Sequence, residues 1–160
     1  MILDLQSVFS GATTAAGVTT GQAVTATAIS TNVIDLRNAA TPVLADEGIS
    51  GCELWLIIVV DVTTTSGGAT TLQVNLESDS TADLATSATV HWASPIIAKA
   101  TLVAGYNIAR TQLPSGDYER YLGVRYTVAT GPFTAGSIRA FLTPDPQRNV
   151  IYPGSFTLDV

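Results

Sequence analysis

The side chains that usually perform covalent chemistry are scarce in this sequence, which has one histidine, His91, and one cysteine, Cys52. A serine or cysteine hydrolase needs a general base beside its nucleophile, and only His91 is available for that role. It lies between Val90 and Trp92 in a predicted strand, and the sequence has no Gly-x-Ser-x-Gly elbow. We therefore expect no catalytic residue, and we interpret Cys52 as a small buried hydrophobe.

Residues that bind metals or phosphates are also few. One His and one Cys cannot complete the four-ligand shell of a zinc site within a monomer. The carboxylate clusters at Asp79–Asp83 and Asp46-Glu47 lack the spacing of a calcium-binding loop, so we interpret them as turn residues in solvent. Ser66-Gly67-Gly68 lacks the Gly-Lys ending of a phosphate-binding loop and predicts a hairpin turn. We expect no metal and no cofactor.

Carbohydrate chemistry stays open at this level. Any two of the 13 acidic residues could converge across a cleft as the acid pair of a glycosidase. Exposed aromatic rings could instead stack on sugars, as in a lectin. The alternative interpretation places the two tryptophans in the core or in a subunit interface. The aromatic candidates are Trp55, Trp92, Tyr106, Tyr118 and Tyr121.

Charge and hydropathy exclude several classes of partner. The net charge of -6 and the pI of about 4.4 argue against a phosphate-binding surface, so we expect no nucleic acid partner. The longest apolar run, Leu54–Val60, is far shorter than the roughly 20 residues that cross a bilayer. The start Met1–Leu5 has no basic region, so we expect neither a secretory signal nor a membrane partner.

Alternation of apolar and polar residues predicts half-buried antiparallel strands. In 71–77, for example, the even positions are apolar and predicted to face a core, whereas Gln73, Asn75 and Glu77 are predicted to face water. Leu54–Val60 does not alternate, which predicts a central strand covered on one face by the opposite sheet and on the other by a loop or another subunit. The predicted strands are 22–29, 31–36, 54–62, 71–77, 88–92, 96–103, 118–128 and 137–143.

About eight strands in a chain of 160 residues predict a single all-β domain over 1–160. The expected fold is a two-sheet antiparallel sandwich of jelly-roll type, with an immunoglobulin-like sandwich as the alternative. Residues 1–21 are predicted to form an N-terminal arm and residues 144–160 an extended C-terminal tail. Apolar residues in these ends predict protein contacts: Met1, Ile2, Leu3, Leu5, Phe9, Ile151, Tyr152, Pro153 and Phe156.

The order of several short segments resembles one known family. The segments are Met1-Ile2-Leu3-Asp4, the stretch 25–36 (TATAISTNVIDL), Glu119-Arg120-Tyr121-Leu122 with Val124-Arg125-Tyr126, Ala140-Phe141-Leu142-Thr143-Pro144, and Tyr152-Pro153. Together, and nearly over the whole chain, they resemble the cement, or decoration, proteins of short-tailed bacteriophages such as those infecting Bordetella.

The resemblance implies a structural protein with no catalytic residues to carry over. Such a protein would be made in the bacterial host cytoplasm and would bind the outer surface of an icosahedral head after the shell expands, clamping neighbouring major capsid proteins. The arms would then contact the capsid or a sister subunit, and the protein would act as a homo-oligomer, with a dimer favoured over a trimer. A carbohydrate- or receptor-binding sandwich of a phage fibre or lectin is the alternative.

Overall fold

The chain folds into two antiparallel sheets packed face to face, as a computed structural model shows for residues 7–13, 19–36, 54–144 and 146. The first sheet contains β1 (Val8–Ser10), β4 (Gln22–Ala23), β7 (Trp55–Thr65), β11 (Asn107–Gln112) and β13 (Ala135–Thr143). The second contains β5 (Ala28–Ile29), β6 (Ile34–Asp35), β8 (Thr71–Asp79), β9 (Thr89–Ala93), β10 (Ile97–Ala98) and β12 (Tyr121–Ala129). A small pair, β2 (Ala12–Thr13) and β3 (Thr19–Thr20), is separate.

The strand order is that of a jelly roll. β1 and β4 pair with β13, β5 and β6 pair with β12, and β9 and β10 pair with β8. We treat β1 with β4, β5 with β6, and β9 with β10 each as one interrupted strand, which leaves eight strands. Numbered again from 1 to 8 in chain order, the two sheets have the strand orders 1-8-3-6 and 2-7-4-5. The sequence-based expectation of an all-β antiparallel sandwich is therefore confirmed.

The core lies between the sheets and is built by the predicted alternation. Every second residue of the long strands points inward, because successive side chains in a strand point to opposite faces. These inward residues are almost completely buried: Leu56, Ile58 and Val60 of β7, Leu72, Val74 and Leu76 of β8, Leu122, Val124 and Tyr126 of β12, and Ile138, Ala140 and Leu142 of β13.

β7 is central in its sheet, between β13 and β11, as the non-alternating run Leu54–Val60 predicts. Its inward face is buried in the core. Its outward face, formed by Trp55, Ile57 and Val59, is half-buried and apolar. The apolar character of this outward face is unusual, because a sheet face open to water normally carries polar residues.

Four local predictions differ from the structure. Ser66–Gly68 is a turn, but it joins β7 to β8 across the sandwich and not within one hairpin. The predicted strand 96–103 continues only through β10 before a 3₁₀ turn, Lys99–Thr101, in which the Leu102 N–H bonds the Lys99 carbonyl. The predicted strand 22–29 is divided between the two sheets as β4 and β5. The strand β11 was not predicted.

The start of the chain is partly built into the sandwich. β1 pairs with β13 through Val8 and Ser10, and the Phe9 carbonyl accepts a bond from the Asn32 N–H. Strands β1, β2 and β3 all fall within the segment predicted as an arm, so that part of residues 1–21 belongs to sheets. The reason is that backbone N–H and C=O groups can pair in a sheet even where the side chains, here mostly Gly, Ala and Thr, have little to bury.

Candidate functional site

Most of the predicted contact residues lie outside the described part of the chain. These are Met1, Ile2, Leu3, Leu5, Ile151, Tyr152, Pro153 and Phe156. The exception is Phe9, whose side chain is fully buried in the domain's own core. Its predicted contact with a capsid or sister subunit is therefore corrected: the register of β1 with β13 shifts between Val8 and Ser10, and the Phe9 ring packs in the core.

His91 belongs to a cluster at the edge of the second sheet. Its Nε2 lies 2.7 Å from the Ser78 Oγ on the neighbouring strand β8, and its ring stacks on Tyr118 with centroids 4.1 Å apart. The Glu119 N–H donates to the same Ser78 Oγ at 3.0 Å, and the Glu119 carboxylate accepts from the Thr89 hydroxyl. The cluster thus fastens the segment before β12 to β8 and β9.

The Ser78–His91 pair has the elements of a nucleophile and its base, but its geometry supports a structural role. The Ser78 side chain has no exposed surface, so its hydroxyl is closed to a substrate. Because that hydroxyl accepts the Glu119 N–H, its own proton is directed to His91 Nε2, which favours the neutral ring protonated on Nδ1. Burial lowers the pKa of His91 below 6.5, and the Glu119 charge opposes this only in part.

We expect the pKa of His91 to make folding stability pH-dependent. A histidine whose folded pKa is lowered contributes stability that is complete above the unfolded pKa of about 6.5 and is lost as the pH falls through the folded value. His91→Gln keeps an acceptor for Ser78 and cannot titrate. Urea midpoints measured at about pH 7.5 and 5.5 should fall less in this variant than in the native protein. Equal falls would contradict the assignment, since the chain has no other histidine.

The carboxylates predicted to lie in turns are used for local hydrogen bonds. Asp79 is buried, and its Oδ1 accepts bonds from Ser80 and the Thr81 N–H; although burial alone would raise the pKa of Asp79, such bonds hold it below 3.8. Asp83 accepts from the Thr81 hydroxyl and the Ala85 N–H. Asp46-Glu47 lies outside the described residues. Across the described ranges, no group of three His, Cys, Asp or Glu residues could hold a metal ion.

The aromatic candidates for sugar stacking do not share one face. Tyr118 belongs to the core cluster, and Trp92 and Tyr106 pack against it. Tyr121 is half-buried on the second sheet, where the Arg120 guanidinium lies 4.9 Å from its ring centroid. Trp55 is on the first sheet. The structure therefore distributes these rings over both sheets. Of the two tryptophans predicted to fill the core or a subunit interface, Trp92 packs against the core, and an interface role for Trp55 stays a prediction.

Three arginines pair locally with carboxylates. Arg120 bonds Asp35 through two nitrogens, and Arg139 bonds Asp61. Burial alone would raise the pKa of Asp61, but bonds from the Gly21 N–H and from Arg139 hold it below 3.8. The third pair, Arg125 with Glu77, is the most buried, and it corrects the prediction that Glu77 faces water.

An apolar stripe crosses the outer face of the first sheet. Register pairs Val8 with Phe141 and Phe141 with Ile57, and Trp55 lies two residues from Ile57 on the same face of β7. We call these four residues the outer stripe. Arg110 of β11, paired with Ile57, continues the row at the edge of the sheet. In the sequence, its signal is the apolar run of β7, which does not alternate.

These features describe an all-β sandwich whose distinctive surfaces are apolar and lightly charged. The chain belongs to the Bbp16 family, which is named for a Bordetella phage protein and whose model matches residues 18–142. The match covers more than three quarters of the chain and confirms the phage part of the resemblance seen in the sequence. A search of curated proteins finds no match. Among the described residues, no helix is long and apolar enough to cross a membrane.

Proposed function

We propose that this protein binds the outer surface of an icosahedral phage head and clamps neighbouring major capsid proteins, stabilising the expanded, DNA-filled shell. Membership of a phage protein family supports the setting. The closed Ser78 hydroxyl and the local use of Asp79 and Asp83 support a structural role and not an enzymatic one. Many copies on one shell would add their modest contacts, so that each interface needs little affinity of its own.

The observation that carries the clamping role is the edge strand β11. It pairs with β7 on one side, and no other described strand pairs with it on the other. Natural edge strands are usually protected by lysine, proline, a bulge or a cover. β11 (NIARTQ) has a register shift at its start, between Asn107 and Ala109, but its remainder has one charged residue and neither Lys nor Pro. Such an edge is suited to lateral pairing with a strand of the capsid protein or of a sister subunit.

A charge placed on this edge should weaken attachment to heads. We expect Gln112→Lys, at an exposed position of β11, to lower the affinity for purified heads that lack the protein by about tenfold, the equivalent of about 1.4 kcal/mol. Thr101→Lys adds the same charge at the exposed 3₁₀ turn and should bind like the native protein. Occupancy is measured by quantifying bound protein after sedimentation. Equal occupancy of the two variants would count against pairing through β11.

The same preparations test the stabilising role and the oligomer. Heads carrying the native protein should survive heating and osmotic shock better than bare heads. Equal survival of the two kinds of head would refute the clamp. Light scattering of the free protein should give a dimer, with a trimer as the alternative. If the Gln112→Lys protein becomes a monomer, β11 pairs with the sister subunit. If it keeps its mass and loses only occupancy on heads, β11 pairs with the capsid protein.

A further inference from the structure

We propose that residues 80–87 form a displaceable strap over a binding socket on the outer face of the second sheet. In the free protein Leu84 fills this socket. When the strap lifts, the socket takes an aliphatic side chain from an extended segment of a partner protein. The inference goes beyond the proposed function and does not depend on it, because it concerns a different sheet from β11.

The socket is a gap in the outer face of β12 at Gly123. The two neighbours of this glycine in β12 face the core, so position 123 points outward. A Cβ built there would lie 2.7 Å from the Leu84 Cδ1. The Ser30 Oγ and the Val33 Cγ2 lie 3.3 Å from the same point and form the walls. The missing side chain therefore leaves room for one branched side chain, which Leu84 supplies.

Leu84 is the one buried residue of the strap. It is 1% exposed, whereas the other seven residues of 80–87 are exposed. Its carbonyl accepts a hydrogen bond from the Arg125 guanidinium on the sheet. Asp79 fixes the point where the strap leaves β8, and Asp83 accepts two bonds from within the same turn. The strap is thus a turn with bonds of its own, and lifting Leu84 breaks no strand pairing.

The backbone of the closed strap is strained. Leu84 has a φ of +48° and Ser87 a φ of +66°, in the left-handed region that residues other than glycine adopt at a cost in free energy. Burial of the Leu84 side chain and the bond from Arg125 offset this cost while the strap is closed. A partner residue that made the same two contacts from a relaxed backbone would release the strain.

The contacts of Leu84 define what the partner must present. The socket takes a branched aliphatic side chain, and the Arg125 Nη2 takes the carbonyl of the same residue. The Glu77 carboxylate bonds the Arg125 Nε, so the guanidinium stays in place when the strap has lifted. The Leu84 N–H bonds a carbonyl inside the strap, so the site needs no N–H from its ligand. An extended peptide with an aliphatic residue meets these requirements, whereas a sugar or a nucleotide supplies no such side chain.

Thiol labelling tests whether the strap opens while the sandwich stays folded. With Cys52 replaced by Ala, the single thiol of Leu84→Cys should react in native buffer at a rate that low urea concentrations leave unchanged, as for local opening. Leu122→Cys, equally buried but facing the core, is the matched control. Its rate should be about 100-fold lower and should rise steeply with urea. If the two thiols share one urea dependence, the strap opens only when the domain unfolds, and the proposal is wrong.

A peptide tests the socket itself. Leu84→Gly empties the socket and keeps the turn, since glycine adopts a positive φ freely. The probe is an acetylated and amidated peptide of residues 80–87. In NMR spectra of the variant, this peptide should shift the amide signals of Ser30, Val33 and Gly123 in a saturable manner, and the same peptide carrying Leu84→Asn should shift none. The absence of shifts with the first peptide would overturn the proposal.

Two further measurements use the native protein. Its shifts should be about fivefold smaller at the same peptide concentration, because its own Leu84 competes for the socket. Light scattering should give the native protein and Leu84→Gly the same mass. A native dimer that becomes a monomer in Leu84→Gly would show a strap exchanged between two copies and would overturn the assignment to a partner protein. No heads are present, so failure here leaves the test of the clamp intact.

Discussion

Gly136→Ala should be among the most destabilising single substitutions in this domain, reducing the free energy of unfolding by about 3 kcal/mol or more. Gly136 has a φ of +133°, a conformation that L side chains rarely adopt. A Cβ built there would lie 2.7 Å from the Thr64 Cγ2 and 2.9 Å from the Thr64 Cα, and a backbone atom cannot move aside. β13 and β7 approach closely at this point, where their register shifts between Ala135 and Ser137.

Thermal unfolding followed by circular dichroism measures this effect. In a domain of this size the melting temperature should fall by roughly 10 °C. Gly67→Ala is the matched control, because a Cβ at Gly67 meets nothing within 4 Å, and it should change stability by no more than about 0.5 kcal/mol. A Gly136→Ala protein as stable as this control would show that β13 and β7 do not need their close approach.

The strands with regular alternation could be predicted from the sequence because one face of each meets the core. β8, β12 and β13 are such strands, and their inward residues are those the pattern assigns. β11 was not predicted because its residues do not alternate regularly. Its register with β7 shifts between Asn107 and Ala109, and Ile108 packs against the core beside the buried Ala109. A bulge of this kind places consecutive residues inward and removes the signal that alternation would give.

Turn chemistry could be predicted, but the strands that a turn joins could not. Ser66–Gly68 has the residues of a tight turn in either setting. Whether β7 continues into a neighbour or crosses to the other sheet is decided by long-range pairing: β13 and β11 already occupy both sides of β7, and β12 is available beside β8. Such competition between distant segments has no local trace in the sequence.

The surfaces were predictable to different degrees. The apolar run of β7 indicated a covered outer face, and the structure places the outer stripe there. His91 was identified as the lone candidate base, but its partners Ser78 and Tyr118 come from other strands and loops and carry no motif. Glu77 was assigned to water because it alternates with Leu76, whereas Arg125 on the paired strand β12 and the loop after β8 enclose it.

The burial of Glu77 beside Arg125 predicts a second large loss of stability, in the variant Arg125→Met. The Arg125 Nε lies 2.6 Å from the Glu77 Oε2, and its Nη2 donates to the Leu84 carbonyl. The Leu84 side chain is buried outside the core cluster, and its Cδ1 would lie 2.7 Å from a Cβ at Gly123, so it fills the space that this glycine leaves. The arginine therefore holds both a buried carboxylate and the loop that covers it.

We expect Arg125→Met to cost about 3 kcal/mol, because the Glu77 side chain, only 5% exposed, would lose its arginine partner and retain a bond from the Asn75 amide at 3.2 Å. Arg120→Met is the matched control. Its pair with Asp35 is more exposed, 46% and 26%, and breaking it should cost much less than breaking the Arg125–Glu77 pair. Urea unfolding of both variants measures the difference, and equal costs would contradict the role of burial.

Comparing a double variant with Arg125→Met separates the buried charge from the packing of the loop. Glu77→Leu with Arg125→Met removes both charges and replaces them with apolar chains, so stability should recover by about 2 kcal/mol relative to Arg125→Met alone. The Leu84 carbonyl stays without its donor in both proteins, so the recovery reports only the buried charge. If the double variant is no more stable than the single one, the bond to Leu84 dominates, and Arg125 acts mainly by holding the loop over Gly123.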